Sequence, residues 1–460
     1  MKTNVARYRL DDLLIDTGTR TVLRGDVDLE VTGLSFDLLL ALGEVAPNLL
    51  SADEINERVW PRQIVSAETI AQRVKMVRQL LGDNAARPRY IAGLRGRGYR
   101  VLSPMLRLKK TKVSSSNPRA QELYLQACAI VRGTSASKDD AVRFLDEALR
   151  LDPELASALA RRALLQAGAV PLTGAPRALL ESAERDAEQA LALDSSLADA
   201  HVVRGMIYAD RLQWIEARAH FDAARALEPG NAFVDNLYAL VLLRPCGQLN
   251  EACAQLTETY RAQPTDGFTL HELILTHSLL GNDAEALRYA RLSATLSGIP
   301  NFPWDVVLAL ARADARRGAL AEAAAQAVNA LPATLHGQGG VDAINAFYEA
   351  LATPSQIPRA CQTLESFSPR LEAVEVDGRT RAFFITAFAM LGALEAAYGL
   401  LDRFLFSSDE PWSVDLSDLW LPEMREFRAD ARFHPLVQRL QLTEYWQTFA
   451  LSPDVDERCF

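Results

Sequence analysis

The sequence predicts a mixed fold: an amino-terminal α+β domain over residues 1–103 and a mostly α-helical body over 119–460, joined by a basic stretch over 104–118. Three observations predict it. Apolar residues alternate in short runs up to Val31 and then switch to helical spacing. Positive charge gathers at one end: residues 1–112 carry 19 Lys+Arg against 13 Asp+Glu, and the remainder carries 30 against 46. Beyond residue 119, Ala and Leu dominate, and helix-stopping positions return at a spacing of 34 or 35 residues.

Taken in order, Tyr8 to Asp16 reads as a strand, with a turn at Thr17-Gly18-Thr19. Thr21-Val22-Leu23 and Val27 to Val31 are two more, split by Gly25-Asp26. Leu34, Leu38, Leu39, Leu42 and Val45 then form a helical stripe that Pro47 ends. A second helix fits Ser51–Trp60, with Ser51 and Glu54 spaced as a capping box. A third begins at Ser66 and stops at Gly82, with Ile70, Val74, Val77 and Leu81 on one face. Arg89 to Leu94 and Tyr99 to Leu102 alternate like paired strands, and Gly96 and Gly98 permit the turn between them.

The third helix opposes its apolar stripe with Glu68, Gln72, Lys75, Met76 and Gln79, and Arg73 and Arg78 flank them. Such a helix fits a major groove, where Gln pairs with adenine and Lys or Arg with guanine or phosphate. The same pattern also describes an ordinary amphipathic helix with a basic solvent face. The hairpin that follows favours nucleic acid, because Arg95 and Arg97 project from its tip toward a minor groove or phosphates. Residues 58–112 hold 14 basic side chains against Glu68 and Asp83 alone, a confined positive field on a chain of net charge −10.

Residues 5–103 resemble the winged helix-turn-helix of OmpR/PhoB-type effector domains. The residues that carry the resemblance are Leu34-Ser35-Phe36-Asp37-Leu38-Leu39, Val59-Trp60-Pro61, Val74 with Val77-Arg78 and Leu80-Leu81-Gly82-Asp83, and Pro88-Arg89-Tyr90-Ile91 with Arg95 to Val101. The resemblance implies that the third helix reads bases through Gln72, Arg73, Lys75, Met76, Arg78 and Gln79, while Arg95 and Arg97 of the wing reach the neighbouring groove. Gly93 departs from the pattern, standing where many relatives carry a hydroxyl. Trp60, Ile70, Val74, Val77 and Tyr99 read as core. The chain opens directly on this domain, so control by an upstream phosphoacceptor domain is not expected.

Residues 104–118, with Lys109, Lys110, Lys112 and three consecutive serines, read as a flexible tether. In the body, Pro153, Ser195, Pro229, Pro264 and Gly298 are separated by 42, 34, 35 and 34 residues, and the longer interval fits an insertion around 169–176. Small residues mark the helix crossings, as in Gly205, Ala217 and Ala224 beside Tyr208 and Phe221. Ala129, Ala141 and Ala148 mark an earlier unit, and Gly281, Ala286 and Ala290 a later one. The pattern resembles tetratricopeptide repeats, which implies a solenoid whose helix pairs cover one another's apolar faces. It weakens after Ala323, through Ala327, Ala330, Gly392, Ala397 and Leu401. The aromatic tail Leu419–Phe460 reads as a helical cap.

No chemistry announces itself. His271 and His277 are six residues apart, on different helix faces, where zincin spacing needs four. Gly337 to Gly340 lack the lysine of a phosphate loop, and no Gly-x-Ser-x-Gly elbow occurs. Five scattered cysteines read as reduced thiols. No signal peptide or apolar span is apparent; the best run, Leu34–Leu50, contains Asp37, Glu44 and Pro47. No catalytic residue, cofactor or metal is expected, and the expected location is the cytoplasm.

The combined architecture resembles HilA-type transcription activators, and CadC-type regulators without their membrane segment. The expectation is a sequence-specific transcription regulator, by likeness an activator, that binds double-stranded promoter DNA. RNA polymerase is a further expected partner, and the repeat body is expected to take a protein, a small-molecule effector or a second copy of the chain. The other reading is a non-catalytic scaffold whose winged helix docks protein.

Overall fold

The computed structural model describes residues 7–24, 27–46, 48–61, 63–94, 96–103, 105–108, 117–132, 138–168, 177–297, 324–325, 327–329, 331, 335–371, 376–406 and 414–455. The stretch expected as one strand from Tyr8 to Asp16 is a tight hairpin of β1 (Arg7–Leu10) and β2 (Leu13–Asp16). Asp11 turns the chain with a positive φ of 54°, a conformation that Asp tolerates better than most residues. β3 (Thr21–Arg24) and β4 (Val27–Asp28) continue the meander. Asp16 accepts from the backbone of Gly18 and Thr19, which sets the β2–β3 turn.

Three helices follow: α1 (Gly33–Glu44), α2 (Ala52–Val59) and α3 (Ala67–Leu81). The capping box at Ser51 and Glu54 forms as the spacing requires, and its hydrogen bonds hold the Glu54 carboxyl below its ordinary range. The wing is β5 (Ile91–Leu94) paired antiparallel with β6 (Gly98–Val101). The tether expected over 104–118 starts later than the composition suggests, because residues 106–108 form β7 and pair with β1. That pairing extends the sheet to β4-β3-β2-β1-β7, and it satisfies a backbone edge that composition cannot reveal. Leu10, Ile15, Val22, Phe36, Leu39, Leu42, Ile55, Val77 and Ile91 share one core.

The helical body runs in pairs: α4 (Pro118–Arg132) on α5 (Lys138–Leu151), α6 (Ala156–Ala167) on α7 (Arg177–Leu193), and α8 (Ala198–Asp210) on α9 (Trp214–Leu227). Gly205 explains the small residue at the α8–α9 crossing. A Cβ there would lie 2.9 Å from the Phe221 ring, which is buried against it. The expected 119–460 body divides. Residues 7–168, 177–229 and 443–451 gather into one compact unit, and 230–442 with 452–455 into another.

In the second unit, α10 (Ala232–Tyr238) runs on through a π-helical turn, Ala239–Leu243. α11 (Leu249–Ala262), α12 (Gly267–Leu279) and α13 (Asp283–Ser297) keep the repeat pattern. Gly298, Ala323 and Ala330 lie outside the described residues. Helices Val341–Ala352, Ile357–Phe367, Gly378–Met390 and Leu394–Phe406 follow, with Ala397 and Leu401 buried as the spacing requires. The aromatic tail forms short helices, Arg425–Ala429 and Phe433–Arg439, against which Trp420 is buried while its indole donates to the Pro245 carbonyl at 3.0 Å. The mixed fold is therefore an α+β winged helix followed by a mostly helical, tetratricopeptide-like region.

Two buried polar pairs sit inside this body. His201 Nε2–H donates to the Ser195 carbonyl at 3.1 Å, so its Nδ1 accepts from His220 Nδ1–H at 2.9 Å. Burial pushes the His201 imidazole down to about 4, and burial together with its histidine and arginine neighbours pushes His220 well below the ordinary range. Arg244 and Glu272 form an ion pair at 2.8 Å, each side chain 1% exposed.

Two predictions follow from these pairs. The folded His201 value lies below the ordinary 6.5, so the unfolded chain takes up the proton first. The stability it confers is whole above pH 6.5 and declines as pH falls toward 4, by about 3 kcal/mol for complete loss. Side-chain NMR should find both rings neutral at pH 5; protonation near 6.5 would contradict the hydrogen-bonded pair. Glu272→Ala strands a buried guanidinium and should cost about 3–5 kcal/mol in urea unfolding, whereas a loss under about 1 kcal/mol would show that Arg244 needs no counter-charge.

Candidate nucleic-acid interface

α3 presents the polar face that its sequence requires. Ile70, Val74, Val77 and Leu81 are buried, at most 1% exposed, so rotation of the helix about its axis is fixed. Burying four such side chains contributes roughly 6–12 kcal/mol before entropy is charged against it. Gln72, Lys75, Met76 and Gln79 therefore stand exposed along the opposite side, with Met76 43% accessible. Ser66 caps the amino terminus by accepting from the Thr69 N–H at 3.3 Å, and Gly82 closes the other end with φ 64°. Arg24 donates to the Leu81 carbonyl at 2.6 Å, placing a cation on the negative end of the helix.

The two flanking arginines are already engaged. Arg78 donates to the Ile91 carbonyl through Nε at 3.2 Å and Nη2 at 2.9 Å, which ties α3 to the first wing strand. Arg73 is half-buried and lies 3.4 Å from the Ser35 hydroxyl at the start of α1. Both steady the helix, and the outer row of Gln72, Lys75, Met76 and Gln79 carries the open surface.

Between α3 and the wing, one carboxylate organises the turn. Asp83 accepts from the backbone N–H groups of Asn84, Arg89, Tyr90 and Ile91 at 2.7–3.3 Å. Tyr90 is buried and donates to Asp12 at 2.5 Å; burial first, then this bond, pushes its phenol up to about 12. Arg89 pairs with Asp11 and Asp12 and remains 54% exposed.

Gly98 is required at the base of the wing. It has φ 135°, and a Cβ there would fall 2.0 Å from the Leu50 carbonyl oxygen. The approach lets Leu50 and Tyr99 exchange two backbone hydrogen bonds of 2.9 Å, locking the wing to the loop before α2. Gly96 (φ 73°) shapes the tip, and the Arg97 N–H closes it on Leu94 at 3.0 Å. Arg97 is 65% exposed there. Arg95 lies outside the described residues.

Sequence reasoning passed over Arg100. Its side chain is 5% exposed, 3.5 Å from Glu216 on α9 and 3.9 Å from Glu444 in the carboxy-terminal helix Leu442–Phe449. The available signal was its place in an otherwise buried run, Arg100-Val101-Leu102. Burial pushes its guanidinium below the ordinary arginine range, against the pull of the two glutamates.

Among the described residues no group of three or more His, Cys, Asp or Glu side chains is placed to hold a metal, and no helix is long and apolar enough to cross a membrane.

Residues 26–101 match the family described as transcriptional regulatory protein, C terminal. The chain is 29% identical over 99 residues to the transcriptional activator CadC of Escherichia coli (strain K12), covering 21% of this chain and 19% of that one. It is 27% identical over 95 residues to the KDP operon transcriptional regulatory protein KdpE of the same organism, covering 20% and 42%. It thus spans less than half the length of either relative. Among solved structures, the DNA-binding domain of E. coli CadC aligns at 25% identity over 22% of this chain and 97% of that one, with a TM-score of 0.21. The matched segment, the three-helix core and the two-stranded wing agree on one conclusion: the amino-terminal domain is an OmpR/PhoB-type winged helix, similar to those of transcriptional regulators.

Proposed function

We propose that this protein is a sequence-specific regulator of transcription that binds double-stranded promoter DNA through α3 and the wing. One observation carries the reading: a helix clamped at both ends and along one stripe offers Gln72, Lys75, Met76 and Gln79 to solvent as a row. Gln72 and Gln79 have the paired donor and acceptor that adenine requires, Lys75 suits guanine or phosphate, and Met76 suits a thymine methyl. Arg97, and Arg95 beside it in sequence, supply the wing's charge for the adjoining groove. The match to a transcriptional activator favours activation, with RNA polymerase as the partner at the promoter. The helical repeats supply the surface for a protein, a small effector or a second protomer.

Selection of duplexes by the full-length protein from a random pool tests this. A defined motif should emerge, and its affinity should fall steeply with added salt. Gln72→Ala should relax preference at one base position by roughly 5- to 150-fold, the equivalent of about 1–3 kcal/mol. Lys75→Ala should weaken all sequences more evenly if it serves phosphate. A pool with no enriched sequence at low salt would refute the assignment.

A further inference from the structure

The wing of this winged helix is held by the protein's own acidic side chains. Glu444 Oε1 lies 3.8 Å from Arg97 Nη1 and 3.9 Å from Arg100 Nη2, and Glu216 Oε1 lies 3.5 Å from Arg100 Nη1. Glu216 stands in the first turn of α9. Residues 443–451 are fastened to the same helix, because Arg218 donates to the Tyr445 hydroxyl at 2.8 Å and lies 4.6 Å over the Phe449 ring. The two glutamates thus form a small acidic seat on a rigid support. All these residues belong to one compact unit.

The seat differs from a packed core. Beside it lies a half-open cavity of about 550 Å³, bordered by Pro88, Arg89 and Leu102 on one side and by Arg218, Asp222 and Phe449 on others. Arg100 Nε and Nη2 also lack hydrogen-bond partners although they are buried. The contact is charged, its ion-pair distances are long and its hydrogen bonds are incomplete, which describes a surface that separates more readily than an apolar core.

From this geometry we infer that Glu216 and Glu444 form an intramolecular clasp that withholds the wing from DNA, so that the body sets the DNA affinity of the amino-terminal domain. The inference rests on the DNA-binding reading above and adds regulation to it. Glu444 places a carboxylate 3.8 Å from Arg97 Nη1, and its negative charge offsets part of the attraction that a phosphate would meet at the wing. The Arg97–Glu444 pair is solvent-exposed and individually weak, whereas Arg100 is buried beside its glutamates, so the clasp tunes affinity by a modest factor and opens to a partner that displaces 443–451 or covers the two carboxylates.

The test compares full-length wild type with Glu216→Gln/Glu444→Gln and with Glu444→Lys, titrated by fluorescence anisotropy against the duplex that wild type selects. None of these changes touches a side chain assigned to DNA. Hydrogen exchange of the 93–101 wing amides is measured alongside, and thermal unfolding verifies the fold. The clasp predicts about tenfold tighter binding for the double variant, at least as much for Glu444→Lys, and faster wing exchange in both. Glu258→Gln/Glu426→Gln removes the same charge elsewhere; equal tightening there would assign the gain to net charge and overturn the clasp. Unchanged affinity in folded variants, with wild type still binding its duplex, overturns the clasp and spares the DNA reading. If neither wild type nor variant binds any duplex at low salt, the DNA reading fails and the clasp falls with it.

Discussion

Everything the amino-terminal domain offers to a partner depends on the burial of one stripe of α3. Ile70, Val74, Val77 and Leu81 fill positions four, three and four residues apart, and all reach the same core as Phe36, Ile55 and Ile91. A 15-residue helix with that stripe committed has no rotational freedom left, so its outward row is settled by arithmetic. The ends are settled separately, by Ser66 at one and by Gly82 with Arg24 at the other. Arg78 and Asp83 then carry that precision into the wing, because both bond the backbone where β5 begins. Helix and hairpin move as one piece, which is what two neighbouring grooves of a duplex demand.

The helical body obeys a related rule with different means. Where α8 crosses α9, the absent Cβ of Gly205 admits the Phe221 ring, and alanines at 217 and 224 let the backbones approach. Close approach leaves no room for water, so polar groups caught inside must satisfy one another. His201 and His220 do so by complementary tautomers, while Arg244 and Glu272 balance charge without completing each other's hydrogen bonds. Such pairs tolerate neither a slipped register nor a missing partner, so they select one arrangement of helices among the many that alanine and leucine alone permit.

Much of this was legible in the residues. Local signals were sufficient where the cause was local: the Ser51–Glu54 box, the Ser66 cap, the α3 stripe and the Gly205–Phe221 crossing all follow from spacing. The sequence misled where a contact was distant. Nothing near residues 106–108 says that they pair with β1, and nothing near Tyr8 marks the turn at Asp11. Arg73 and Arg78 belong to the helix that reads as basic, and nothing near them tells that their guanidiniums also meet groups on α1 and β5. Glu444 is some 340 residues from the wing, a separation across which no pattern in one sequence can speak.

The partition of charge gains meaning from that last contact. Residues 1–112 carry a surplus of six positive charges and the rest a deficit of sixteen, and covalent linkage keeps the two at an effective concentration on the order of millimolar. At that concentration weak ion pairs acting together are populated far more than they would be between separate molecules. DNA must therefore win a competition before it binds, and its observed affinity is the intrinsic one reduced by the fraction of wings already seated. Weakness is what makes the arrangement useful. A tight, fully satisfied contact would silence the domain, whereas one made of long ion pairs leaves the balance within reach of a single further binding event on the body.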